Sequence, residues 1–66
     1  MVLGTVTGFD EYVGLGEVTT ADGTEYMFHC VEIADGSRVI GVGATVEFDL
    51  MTKFGYDEAS QLRPPP

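Results

Sequence analysis

Positive charge is scarce in this chain. Eleven acidic residues face three basic ones, Arg38, Lys53 and Arg63, and the net charge is −8. Proteins that hold nucleic acid ordinarily gain affinity by neutralising phosphates and releasing counterions. A chain this acidic repels a polyanion at long range, and suits either solubility or a basic partner. Cysteine is limited to Cys30, which excludes an internal disulfide. Small secreted domains usually depend on such staples, so a reducing, cytoplasmic setting is the expectation. No basic segment followed by an apolar run marks a signal peptide. No apolar run is long enough to span a bilayer, so no membrane partner is expected. No segment sustains a helical period, and all three prolines sit at the end, in "RPPP".

What is there reads as short strands. With 66 residues, one domain is expected over residues 1–63, followed by an extended proline tail at 64–66. An apolar content of 44% is ordinary for a folded domain. A chain of this length buries only about 60% of the surface its unfolded form exposes. Val2 to Phe9, rich in valine and threonine, predicts a first strand, and Leu15 to Thr20 a second. Between Thr20 and Glu25, Asp22-Gly23 suits the positive φ angles of a tight hairpin turn. Glu25 to Val31 predicts the return strand, with Tyr26, Phe28 and Cys30 on one face and Met27, His29 and Val31 on the other. "TVEFDL" alternates, which predicts Val46, Phe48 and Leu50 inward and Glu47 and Asp49 outward. A turn at Gly55 leads to a final strand near Ala59 to Leu62. Tyr26, Phe28, Phe48 and Leu50 are therefore expected in the core. Closure removes exposed edges, so five short strands predict an all-β, five-stranded antiparallel barrel of the oligonucleotide-binding (OB-fold) kind.

The landmarks along these strands extend the reading. "GTVTGFDEYVGLGEVT" carries Gly4, Val6, Phe9, Gly14-x-Gly16 and Val18; "EYMFHCVEI" carries His29 and Ile33; "GATVEF" and "ASQL" follow at later strands. In this spacing the chain resembles the cold-shock domain, from about Gly4 to Leu62. The resemblance implies a cold-shock-type OB barrel that binds single-stranded RNA or DNA by stacking bases on exposed rings. It also implies where those rings belong. Phe9 and His29 keep theirs. Gly8, Leu15, Glu17, Met27 and Cys30 stand at positions where the family commonly has aromatics, and Thr7 and Val13 where it has lysines. Stacking on an aromatic is worth about 1–3 kcal/mol per base, so the implied binding is weak.

Six residues form the candidate nucleic-acid-binding set: Phe9, Leu15, Met27, His29, Lys53 and Phe54. His29 can stack on or hydrogen-bond a base, or be an ordinary half-exposed surface histidine. Phe9 can stack or plug the barrel. Lys53 beside Phe54 is the one place where a cation adjoins an aromatic. Tyr12, Phe54 and Tyr56 fall in or near loops, as either a relocated aromatic surface or anchors covering the barrel ends, and anchoring is the expectation. Glu17 points a negative charge at any phosphate on the same face. That leaves a second function open: an acidic protein-interaction module that docks a basic protein surface on a barrel that has lost nucleic-acid binding.

Catalysis and cofactors are not expected. Cys30 and His29 are consecutive strand residues and point to opposite faces, which defeats a Cys–His nucleophile. A zinc site needs three or four ligands, and the chain has no second Cys or His. No helix follows the glycines at 14 and 16, so they make no phosphate loop.

Overall fold

The computed structural model describes residues 1–37 and 39–66, and of Lys53 the backbone alone. Five strands run in order: β1 (Val2–Asp10), β2 (Leu15–Thr20), β3 (Glu25–His29), β4 (Thr45–Lys53) and β5 (Tyr56–Arg63). A 3₁₀ turn, Cys30–Glu32, follows β3. The strands close into a barrel in the order β1-β2-β3-β5-β4. This is a small all-β barrel compatible with an OB-like fold. No helix among the described residues is long and apolar enough to cross a membrane.

The barrel is mixed rather than purely antiparallel. The connection after β3 returns the chain to β1, where Val2–Thr5 pair antiparallel with β4 from Phe48 back to Thr45. The β4–β5 hairpin then brings β5 back beside β3, running in the same direction, with Met27 opposite Glu58. A parallel closing pair follows from that crossover.

β3 ends two residues earlier than its alternation predicts, at His29 rather than Val31. The Cys30 N–H donates to the Gly14 carbonyl at 2.8 Å, and the chain turns out of the sheet there. In the β2–β3 turn only Gly23 takes a positive φ. Asp22 acts as a local cap instead: its carboxylate accepts from the Thr20 hydroxyl and the Thr24 N–H. Those two bonds, the Thr20 one first, hold its carboxyl below the usual aspartate range.

Val6, Val18, Phe28, Ile33, Val46, Phe48, Ala59 and Leu62 form the core. Each large side chain here contributes about 1.5–3 kcal/mol by leaving water. Tyr26 packs edge-on against Phe48 with ring centroids 5.8 Å apart. Two outcomes differ from the alternation. Leu50 pairs with inward-facing Ala59 but lies toward the hairpin end of β4, where it stays 44% exposed and outside the core. Glu47 keeps its outward parity yet is only 7% exposed, because Arg63 lies over it with Nε 2.8 Å from Oε1. The register slips between Glu47–Arg63 and Asp49–Ser60, leaving an extra residue in β5 near Gln61, which takes φ 56.

Among the glycines, Gly16 leaves the least room for a side chain. A Cβ there would lie 2.4 Å from Phe28 Cζ and 2.9 Å from the Gly8 carbonyl oxygen. Overpacking of this kind costs about 1–3 kcal/mol. Gly16→Ala is expected to lower the thermal midpoint by roughly 4–8 °C per kcal/mol lost, read by circular dichroism. An unchanged midpoint would mean that Phe28 is not pinned against this backbone.

Candidate nucleic-acid interface

The outward face of the β2–β3 hairpin is set by register. Leu15 stands opposite His29, Glu17 opposite Met27, and Thr19 opposite Glu25. Such partners have Cβ atoms about 4.5–5.5 Å apart, so each pair presents one continuous surface. The middle row continues in both directions: Gly8 lies opposite Glu17, Glu58 opposite Met27, and Met51 opposite Glu58. A row Gly8–Glu17–Met27–Glu58–Met51 thus crosses every strand of the barrel. His29 Nε2 lies 3.6 Å from Glu58 Oε1, an ion pair when the imidazole is protonated.

Leu15, Met27 and His29 come together on this face. Phe9 does not join them. Between Val6–Val18 and Gly8–Glu17 the register advances two residues on β1 against one on β2, so Thr7 is the extra residue of a bulge. Phe9 then pairs with Gly16, an inward position, and its ring stacks on Phe28 with centroids 6.0 Å apart and planes 7° apart. One face of that ring is therefore engaged in the core. The backbone of Lys53 ends β4 opposite Tyr56, and its side chain lies outside the described residues.

The exposed rings lie in the loops or, for Tyr56, at the first residue of β5 beside the β4–β5 turn. Tyr12 and Phe54 are 98% exposed and Tyr56 75%. Anchoring of the barrel ends, the expectation for these three, is not what they do. Tyr12 lies in the β1–β2 loop, where the Asp10 carboxylate accepts from the N–H groups of Tyr12 and Val13. This loop borders the face at its Leu15–His29 end. Phe54 and Gly55 form the β4–β5 turn, with φ 50 and φ 82. Two successive positive φ angles define a turn that favours Asn-Gly. A left-handed conformation costs an L-residue about 1–2 kcal/mol. Phe54 carries that strain with its ring in water, so no packing offsets it.

The electrostatics are set by pairing. Arg63 Nη2 lies 3.4 Å from Asp49 Oδ1, in addition to its bond to Glu47. These carboxylates, Glu47 foremost, raise its pKa further and occupy the guanidinium. Among the described residues no three His, Cys, Asp or Glu side chains gather to hold a metal ion. Cys30 packs beneath Gly14, where a Cβ would lie 2.8 Å from its sulfur. An apolar cavity of about 170 Å³ lies between Ile33, Ile40, Ala44 and Leu62, and none of its lining residues belongs to the face described above.

Met51 and Glu58 are members of this surface that the sequence pattern did not assign. Gly55 was the readable signal for the turn, whereas nothing about Phe54 announces its positive φ. Met51 and Glu58 reach the face only through the parallel β3–β5 pairing. No protein-family model matches the chain, and no curated protein matches it.

Strain at a fully exposed ring has a direct consequence. Phe54→Asn is expected to stabilise the fold by about 1 kcal/mol, since asparagine tolerates the left-handed region far better. The check is a thermal melt, with a rise of roughly 4–8 °C expected. A melt unchanged or lowered would mean that the turn holds no strain to relieve.

Proposed function

We propose that this protein binds single-stranded RNA or DNA weakly, in the manner of a cytoplasmic cold-shock-type protein, with its stacking surface moved from the sheet to the loops. OB-like barrels hold oligonucleotides across the β2–β3 face and between the β1–β2 and β4–β5 loops. The observation that carries the reading is the location of the exposed rings. Tyr12 occupies the first of those loops, and Phe54 and Tyr56 lie at the second. Leu15, Met27 and His29 supply an apolar and hydrogen-bonding floor between them. The resemblance to cold-shock domains in the strand landmarks supports the same assignment.

Magnitudes favour weak binding. Three stacked bases give about 3–9 kcal/mol gross at about 1–3 kcal/mol each. The net charge of −8 opposes that gain. Arg63 is engaged by Glu47 and Asp49, which leaves at most Arg38 and Lys53 for phosphates. A single strand releases about 0.7 counterion per contact, so the log–log salt slope is no steeper than about −1.4.

A second reading has its own observation. Acid and thioether alternate along Glu17–Met27–Glu58–Met51, a surface suited to a basic protein partner with apolar contacts. Titration with a mixed-sequence heptanucleotide at low salt, followed by amide shifts, separates the two. Binding to nucleic acid predicts shifts at Leu15, Met27 and His29 together with Tyr12 and Phe54. A flat titration at millimolar ligand would sink it and leave the acidic docking module.

A further inference from the structure

We infer that Glu17 selects guanine, so that this barrel prefers a guanine-containing strand over a pure thymine or uracil strand; the inference rests on the nucleic-acid reading above. Glu17 is exposed at the centre of the β2–β3 face, between Gly8 on β1 and Met27 on β3. Its carboxylate has no hydrogen-bond or ion-pair partner among the described residues, whereas Glu58, one column beyond Met27, already faces His29. The flank beside it is open: a Cβ at Gly8 would meet nothing within 4 Å. Met27, more than half exposed, supplies a polarizable floor on the other side. A base lying on Met27 therefore reaches Glu17 edge-on, with no side chain at position 8 to block it.

The chemistry of that edge decides which base is held. An ionised carboxylate only accepts, with two oxygens side by side. Guanine alone presents two adjacent donors on its Watson–Crick edge, the N1–H and one N2–H. They match a carboxylate as a bidentate, charge-assisted pair. Cytosine and adenine each offer one amino group beside an acceptor nitrogen. Thymine and uracil offer one N–H between two carbonyl oxygens, which a carboxylate repels. The ranking is guanine first and thymine or uracil last. The same charge that repels phosphate, and so weakens all binding, becomes the source of selection.

The test uses fluorescence anisotropy at low salt with end-labelled heptamers: all thymidine, and the same strand with a central deoxyguanosine or deoxyinosine. The guanine strand is expected to bind about tenfold tighter than the thymidine strand, the low end of what a bidentate base contact gives. Inosine lacks the 2-amino group and is expected in between. Glu17→Gln offers one acceptor and one donor, which pair with N3–H and a carbonyl of thymine as readily as with N1–H and O6 of guanine. That variant is expected to bind the thymidine strand more tightly than the wild type does and to lose the guanine advantage. Damage to the fold would weaken both strands together and cannot produce this crossover. Equal binding of all three strands by the wild type overturns the selection and leaves the binding reading standing. Retention of the guanine advantage by Glu17→Gln overturns it as well. Absence of binding to every strand overturns both.

Discussion

The Phe28 ring lies against bare backbone at Gly16, and most of the molecule follows from that contact. A side chain at position 16 would overlap the ring and the Gly8 carbonyl. Because the strand is bare there, β1 and β2 can carry Phe28 between them and still close on β4. Phe9 then completes the stack from the β1 side, brought inward by the bulge at Thr7. This arrangement fills a very small barrel with few large side chains. It also withdraws from the surface an aromatic ring that the sheet would otherwise display.

The surface left behind is shaped by that withdrawal. Across the face, carboxylates and thioethers stand in one row, with His29 beside Glu58. The aromatic area lies instead at the β1–β2 loop and the β4–β5 turn, and Phe54 holds a costly backbone conformation to be there. Strain with no compensating contact is commonly a mark of function rather than of packing. The Arg63–Glu47–Asp49 cluster belongs to the opposite role. It seals the outward side of β4 and β5, and in doing so engages one of only three cations.

Much of the barrel was legible from side-chain alternation. Leu15 to Thr20 matched its strand because glycine and Asp-Gly bound it on both sides. Phe28 and Phe48 fell in the core as their parity required. The misses share a cause: each depends on something beyond parity. Cys30 continues the alternation of Tyr26 and Phe28 after the β3 ladder has ended at His29. Leu50 has inward parity at a place where the barrel has run out, and Glu47 has outward parity under a covering arginine. The bulge at Thr7 reverses Phe9, and no residue type announces it. The site divides in the same way. Leu15, Met27 and His29 were readable from alternation, while Glu58 and Met51 join them only through the β3–β5 closure, a property of topology.

The central claim is that stacking has passed from the sheet to the loops. It is tested most directly by the affinity of a triple variant, Tyr12→Ala, Phe54→Asn and Tyr56→Ala, for a single strand that the wild type binds. Even at about 1 kcal/mol per ring, the account predicts at least about a hundredfold loss, with the fold intact by NMR. An affinity equal to that of the wild type would contradict it.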